Sequence, residues 1–265
     1  MKEAAFIYPT ELASEGRMYT DAKSFLSQLG WDAKKLHGVL LAISESFNNA
    51  MIHGNKWDPD KNVHVRLAVK KDFIDADIID EGTGDIKRLK ERKPSDLLAE
   101  GGRGIELIET FSDRVLIRNC ENTGGVKVSL RFEYDERESN PIADITEESM
   151  DYNKREENGI TVIELTGRLD LTSGNMLKDG VKELLTGGKA SIHLNLKNVE
   201  FVNSSGLGAL VSIMKEIRLH RGRLTLSDLA DYVREIFDIT QLSHIFEIFA
   251  TESEAINSYQ VSVKN

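Results

Sequence analysis

The order of strand and helix patterns changes halfway along the chain, and this change limits the available folds more than any other feature. Up to about residue 134, two helical patterns are accompanied by alternating strand patterns that mostly follow one another in pairs. Beyond residue 158, single strand patterns alternate regularly with helices. The first order predicts an α+β two-layer sandwich with mostly antiparallel strands. The second predicts an α/β domain with helices packed on a largely parallel sheet.

An acidic segment separates the two patterns. Residues 133–158 hold Pro141 and show little apolar periodicity before Tyr152, which is typical of a linker. The chain of 265 residues is long enough for two domains with separate cores. We therefore predict a first domain over residues 1–138, an acidic linker over residues 139–155 and a second domain over residues 156–265.

Composition and charge narrow the class of protein. Hydrophobic residues make up 40% of the chain and charged residues 29%, which argues against a disordered or membrane-spanning chain. The start of the chain lacks an apolar segment behind basic residues, so we expect no signal peptide. Cys120 is the single cysteine, which fits a reducing cytoplasm. The net charge of −10 argues against direct binding to nucleic acid or to an anionic membrane.

A predicted helix over residues 32–53 carries a polar pair opposite its apolar face. Glu45 and Asn49 are four residues apart and therefore lie one turn from each other. For a single helix, a solvated polar face is the more common explanation. Leu41 and Ile52 lie on the same side, so we expect this side to be partly covered rather than open to water.

Two glycine motifs follow this helix. Residues 80–84 (DEGTG) come directly after a strand pattern, and a motif of this kind is by itself often only a turn. Residues 101–104 (GGRG) run into a predicted helix over residues 104–111, whose N-terminal N–H groups and positive dipole end suit a phosphate. The charged segment between the motifs, residues 85–101, is either a surface loop or a lid over a ligand.

Taken in this order, residues 45–54 (ESFNNAMIHG) and the two glycine motifs resemble the ATP site of the anti-sigma-factor serine kinases, a branch of the Bergerat-type ATPases. The resemblance covers nearly all of residues 1–135 and implies ATP and Mg²⁺ as cofactors. It implies that Glu45 is the catalytic base and that Asn49 is the metal ligand, since an amide oxygen is a hard ligand that suits Mg²⁺. Asn48 stands beside them as a supporting residue.

The same resemblance implies the nucleotide contacts. Asp80 corresponds to the residue that accepts a hydrogen bond from the adenine amino group. The implied cofactor-binding residues are Asn49, Asp80, Gly82, Gly84, Gly102, Arg103 and Gly104. Arg103 stands where the family is variable, so its contact with phosphate is open. Residues 124–126 (GGV) stand where relatives usually keep a Thr, which leaves one nucleotide contact open as well.

A sensor histidine kinase is the alternative that uses the same ATP fold. Such kinases phosphorylate a His that is followed by Glu or Asp. Each of the six histidines in this chain is followed by another residue type. We therefore set this alternative aside.

The second half resembles a different family. Residues 165–170 (LTGRLD) and 202–208 (VNSSGLG) are similar to the STAS domain of anti-anti-sigma factors, which are the substrates of those kinases. The resemblance implies that Ser204 is the phosphoacceptor, whereas the structural alternative is a serine that caps a helix. Phosphorylated relatives usually have Asp before the serine, and this chain has Asn203. Whether Ser204 is phosphorylated is therefore open.

Together the two halves predict a partner-switching regulator of transcription. The leading hypothesis is an ATP- and Mg²⁺-dependent serine protein kinase that phosphorylates a STAS-domain serine, in the same chain or on a separate STAS protein. It would thereby control binding of a sigma factor or another regulator. The alternative is a nucleotide-binding, non-catalytic switch that sequesters a regulatory partner, and a third is an ATPase without a protein acceptor. A homodimer is open, because family kinases tend to dimerise while this sequence gives no independent indication.

Overall fold

A computed structural model of the protein describes residues 2–84, 98, 102–120, 124–133 and 151–261. These residues divide into two compact units, whose sheets lie within residues 2–133 and 151–249. Each unit is described by itself. Residues 85–97 and 99–101 of the predicted lid, and residues 139–150 of the predicted linker, lie outside the described residues.

The first unit is built on an antiparallel sheet, as predicted. Its strands are β1 (Lys2–Pro9), β2 (Asn62–Val69), β3 (Phe73–Ile79), β4 (Arg114–Asn119) and β5 (Val126–Glu133), in the spatial order β1-β2-β3-β5-β4. Every neighbouring pair is antiparallel. Val63, Val65 and Leu67 of β2 are buried at every second position, so one face of the strand belongs to the core. The predicted α+β class is confirmed.

Within the described residues, three helices accompany this sheet: α1 (Ala13–Ser27), α2 (Ala33–Asn49) and α3 (Gly104–Phe111). Helix α2 begins at Asp32, whose side chain accepts a hydrogen bond of 2.8 Å from the Lys35 N–H, an ordinary N-cap. It packs against α1, α3, β3 and β5. This central position explains why its residues are buried on several sides.

The long helix predicted over residues 32–53 changes its winding near the end. Regular α-helix ends at Asn49, and Ala50–Gly54 form a π-helical turn. Lys56 and Trp57 then take positive φ angles of 56° and 60°, which are uncommon for residues other than glycine. Such wide turns often occur at functional sites.

The second unit has a largely parallel sheet, which confirms the α/β prediction. Its strands are β6 (Asp151–Glu157), β7 (Ile160–Leu169), β8 (Ser191–Val202), β9 (Arg223–Ser227) and β10 (Glu247–Phe249), in the order β10-β9-β8-β7-β6. Only the β6–β7 pair among these is antiparallel. The helices are α4 (Leu171–Thr186), α5 (Ser204–Leu219), α6 (Asp231–Ile239) and α7 (Glu252–Val261).

Strand β6 includes residues 151–155 of the predicted linker. It lies at one edge of the described sheet, and its residues are exposed or half-buried. Outer strands often carry charged side chains, so the apolar alternation that marks inner strands is weak here. Tyr152 nevertheless packs against α4, where a Cβ atom at Gly180 would lie 2.8 Å from its hydroxyl oxygen.

Over the part of the chain that the structure describes, no helix is both long enough and apolar enough to span a bilayer.

Candidate nucleotide site and phosphoacceptor

The polar pair on α2 is placed as the sequence predicts. Glu45 is only 1% exposed and Asn49 is half-buried, one helical turn further on. A solvated polar face is therefore the wrong explanation for Glu45. Burying a carboxyl group this deeply costs free energy unless the group is paired or hydrogen-bonded.

Asp80 directly follows β3 and is only 4% exposed. Its Oδ1 accepts hydrogen bonds from the Gly82 N–H (2.9 Å) and the Val126 N–H (3.0 Å). From the described residues, Oδ2 accepts none, so this oxygen can accept from a ligand. Burial raises the pKa of Asp80, and the two backbone hydrogen bonds only partly oppose this effect.

Close backbone contacts surround this carboxyl group. A Cβ atom at Gly82 would lie 2.3 Å from the Gly54 carbonyl oxygen, and one at Gly125 would lie 1.9 Å from the Asp80 carbonyl oxygen. A Cβ atom at Gly54 would lie 2.4 Å from Asp80 Oδ2. These contacts are too short for any side chain. They bring the end of the α2 segment, the DEGTG motif and the β4–β5 hairpin together at Asp80.

Asn55 holds these segments in place. Its side chain is 1% exposed; Nδ2 donates to Thr10 Oγ1 and to the Asn62 carbonyl oxygen, both at 2.9 Å. Its Oδ1 accepts from the Glu81 N–H at 2.8 Å. One amide therefore ties strands β1 and β2 to the residue that follows Asp80.

An Asn55→Ala substitution is expected to lower both the free energy of unfolding and the affinity for ATP. It leaves two acceptors and one N–H without their partner, which should cost about 2 to 4 kcal/mol. Asn55→Asp is the matched control, because its Oδ1 keeps the Glu81 N–H bond while both donations are lost. Urea unfolding and titration calorimetry measure the two effects. An ATP affinity equal in Asn55→Ala and wild type would contradict the positioning role.

Helix α3 provides the N-terminus that the GGRG motif predicts. Gly104 is its first residue, and Gly102 has a φ of +96°. The helix packs closely on α2, since a Cβ atom at Gly38 would lie 2.6 Å from Phe111 Cδ1.

Arg103 is 1% exposed, and burial lowers the pKa of its guanidinium group while nearby Glu106 opposes this. Gly84, the remaining predicted contact, has a φ of +72° and faces the Gly124 carbonyl oxygen.

The serine pair of the second unit opens helix α5. Asn203, which is fully buried, caps this helix by accepting a 2.9 Å hydrogen bond from the Gly206 N–H. Ser204 is the first helical residue and is half-buried. The capping role suggested as an alternative for Ser204 is therefore filled by Asn203 instead.

The described side chains around this site offer few ligands for a metal ion. Among the side chains that the structure describes, no group of three or more His, Cys, Asp or Glu residues is placed to hold a metal ion by itself. Mg²⁺ usually binds through one or two side-chain oxygens, several waters and the phosphates of a nucleotide. A half-buried amide oxygen at Asn49 fits that pattern.

Two residues of this site were not singled out from the sequence. Asn55 follows the ESFNNAMIHG motif directly, and its polarity next to a helix end looks like ordinary turn chemistry. Gly125 was noted only as a departure from relatives. The adjacency of Asn55 to a glycine that ends a helix is the one signal that could have indicated its role.

Comparison with known protein families agrees with the two units. A family model described as a histidine kinase-like ATPase domain matches residues 8–132, and one described as a STAS domain matches residues 151–255. A domain with an antiparallel sheet, a buried Glu45 and a half-buried Asn49, followed by a STAS domain, defines the class of this protein.

Individual relatives indicate more narrowly which families the two halves resemble. An anti-sigma-B factor antagonist of Bacillus subtilis (strain 168) is 34% identical over 97 residues, which are 37% of this chain and 87% of the relative. An anti-sigma F factor of Clostridium perfringens (strain SM101 / Type A) is 31% identical, over 42% of this chain and 82% of the relative. The serine-protein kinase RsbW of Bacillus subtilis is 33% identical, over 39% and 68% respectively. The chain therefore belongs to the anti-sigma-factor kinase family in its first half and to the STAS-domain antagonist family in its second half.

Proposed function

We propose that this protein is an ATP- and Mg²⁺-dependent serine kinase of the partner-switching type, joined to a STAS domain. It phosphorylates a STAS-domain serine, either in the same chain or on a separate STAS protein. In this way it controls binding of a sigma factor or another regulator. The observation that carries the proposal is the burial of Glu45 one turn before Asn49, on the helix that leads into the π-helical turn whose last residue, Gly54, contacts Asp80. We propose a cytoplasmic location, in keeping with a single cysteine.

Nucleotide recognition is assigned to the first unit. Asp80 Oδ2 accepts a hydrogen bond from the adenine amino group, while Oδ1 stays bound to the backbone N–H groups of Gly82 and Val126. The N–H groups at the start of α3 and the positive end of its dipole attract the phosphates. Gly102, Gly104 and Arg103 supply this end of the site. Bound Mg²⁺, with Asn49 as its protein ligand, would neutralise charge on the phosphate oxygens.

Glu45 handles the proton of the acceptor. The serine Oγ forms a bond to the γ-phosphorus, and the bond from that phosphorus to the bridging oxygen breaks with its electron pair left on ADP. The hydroxyl proton passes to the Glu45 carboxylate. In phosphoryl transfer, positioning and charge neutralisation contribute most, so the main demand on Glu45 is a fixed place beside the incoming hydroxyl.

Ser204 is the acceptor that this chain offers. The capping bond between Asn203 and the Gly206 N–H supports this choice, because the Ser204 hydroxyl is not required for the cap. A phosphate added there would lie at the N-terminus of α5, where N–H groups and the helix dipole stabilise negative charge. Its charge of about −1.5 to −2 would alter the surface that a partner recognises.

The test is the intact mass of the purified chain after incubation with Mg-ATP, followed by mapping of any added phosphoryl group. We expect one phosphoryl group on Ser204 that is absent in Ser204→Ala and in Glu45→Gln. Ser205→Ala is the matched control, since it removes the neighbouring hydroxyl. If wild type transfers phosphate neither to itself nor to an added STAS protein while it binds ATP, the kinase proposal fails.

A nucleotide-gated binding switch is the second candidate. Two departures from relatives favour it: Asn203 in place of Asp, and Gly125-Val126 where relatives usually keep Thr. Such a switch would capture its partner with ATP bound and release it with ADP, without any phosphoserine. Partner-binding assays with ATP, ADP and a non-hydrolysable ATP analogue separate the candidates. The kinase uses up ATP but not the analogue, so its partner binding should change with time only in ATP. A non-catalytic switch should bind its partner equally in ATP and in the analogue.

A further inference from the structure

We propose that Glu15 is a positioning residue, which holds Glu45 and Asn49 in the orientation that phosphoryl transfer requires. The inference rests on the proposed kinase function for its purpose, although not for its geometry. Glu15 lies on α1, outside the three motifs that carry the family resemblance (residues 45–54, 80–84 and 101–104). It contacts α2, the helix that carries both site residues.

The contact is a buried hydrogen-bonded cluster. Glu15 is 1% exposed, and its Oε1 accepts from Ser44 Oγ at 3.0 Å and from Asn48 Nδ2 at 2.8 Å. Ser44 is 0% and Asn48 is 2% exposed. One carboxyl oxygen thus joins two side chains that lie one turn apart on α2.

The spacing of these donors is what gives the cluster its role. Ser44 directly precedes Glu45, and Asn48 directly precedes Asn49. Two anchors one turn apart fix the rotation of a helix about its axis, and the next residue points about 100° further round. The Glu15 cluster therefore sets the direction of both site residues together.

A small rotation would matter. Side-chain ends lie about 5 to 6 Å from a helix axis, so a rotation of about 10° moves them by about 1 Å. A misplacement of about 1 Å can cost roughly a hundredfold in rate. Hydrogen bonds with defined directions resist such a rotation better than apolar contacts, which are not directional.

Core packing alone does not account for a carboxyl group at this position. Along α1, Met18, Ala22 and Leu26 form the buried apolar stripe, and Glu15 continues it at the same helical spacing. An apolar residue would join α1 to α2 without the cost of burying a carboxyl group. The polar choice is explained if a fixed orientation of α2 is required.

The experiment compares variants of the full chain. Glu15→Ala removes the acceptor, and Ser44→Ala and Asn48→Ala each remove one donor. Glu15→Gln is the conservative variant, because its amide oxygen can still accept both bonds. Ser46→Ala is the matched control: it removes a buried hydroxyl from the same helix, next to Glu45, that instead donates to the Ala42 carbonyl oxygen at 2.9 Å.

Two readouts separate positioning from plain stability in variants that remain folded by circular dichroism. The first is the ratio of ATP affinities with and without Mg²⁺, which depends on Asn49. The second is the phosphoryl-transfer rate at saturating ATP. We expect Asn48→Ala and Glu15→Ala to reduce the Mg²⁺ effect at least threefold and the rate at least tenfold, with metal-free ATP affinity within threefold of wild type. Glu15→Gln should stay near wild type.

The two proposals fail separately. If wild type transfers no phosphate, the kinase function fails, but the Mg²⁺ effect on ATP affinity still tests Glu15. An equal Mg²⁺ effect in wild type, Asn48→Ala and Ser44→Ala overturns the positioning role. So does a loss in Ser46→Ala as large as that in Ser44→Ala, because stability alone would then explain both.

Discussion

A Glu45→Gln variant is expected to lose phosphoryl transfer by at least about a hundredfold, since a positioned general base typically contributes about 10² to 10⁴. The amide keeps the size of the side chain but does not take up the serine proton. Because Glu45 is 1% exposed, the substitution also removes a buried acidic group, and we expect the fold to remain intact. Single-turnover phosphorylation of the acceptor measures the loss, and ATP affinity should stay within about threefold.

The companion variant Asn49→Asp tests the metal ligand. It is expected to lose transfer as well, because a charged ligand replaces the neutral amide oxygen beside Glu45 and the phosphates. Glu3→Gln is the matched control: it removes an exposed carboxylate of β1 that pairs with Arg66. Full transfer in both Glu45→Gln and Asn49→Asp would refute the kinase mechanism.

An Asp80→Asn variant is expected to bind ATP about 10- to 100-fold more weakly, which corresponds to the loss of one hydrogen bond to a charged group. The amide oxygen can keep the bonds from Gly82 and Val126. The NH₂ group then takes the place of Oδ2 and faces the adenine amino group, so that two donors oppose each other. Titration calorimetry with ATP measures this, and unchanged affinity would remove Asp80 from the adenine site.

The same variant should stabilise the nucleotide-free protein at neutral pH. Burial raises the folded-state pKa of Asp80 above its unfolded value of 3.8. A carboxyl group whose pKa is raised by folding contributes most to the free energy of unfolding below its unfolded pKa. This contribution is lost as pH rises through the folded pKa. The advantage of Asp80→Asn in urea unfolding should therefore be larger at pH 7 than at pH 4. An equal or smaller advantage at pH 7 would contradict this account.

Much of the fold follows from local patterns. The helix predicted over residues 104–111 has the same bounds in the structure, and the strand pattern predicted before residue 80 is strand β3, which ends at Ile79. Polar residues end both patterns sharply, with Asp80 after the strand and Ser112-Asp113 after the helix. The π-helical turn at Ala50–Gly54 was not predictable, because apolar spacing continues across it and one inserted residue hardly changes the periodicity.

The residues of the candidate site also fall into two groups, those that a sequence motif predicts and those that depend on how the fold packs. Residue order along the chain indicated Glu45, Asn49 and Asp80, because each lies in a compact motif. Glu15 and Asn55 act through partners that are distant in sequence: Glu15 Oε1 meets Asn48 Nδ2 across 33 positions, and Asn55 meets Thr10 across 45. A polar side chain within an apolar stripe gives a hint of burial, but its partner is set by how the helices and strands pack.

The neutral cap at Asn203 has a consequence for the lifetime of a phosphorylated state. In relatives with Asp at this position, a phosphate on the next residue would stand beside a fixed negative charge, and their repulsion would favour the unmodified form. Here the capping side chain of Asn203 is neutral, so no repulsion from the cap opposes the attraction of the α5 N-terminus for phosphate. Serine phosphate esters hydrolyse very slowly by themselves, so a phosphorylated form of this STAS domain would last until a phosphatase removes the phosphate, and the neutral cap adds no repulsion that favours the unmodified form.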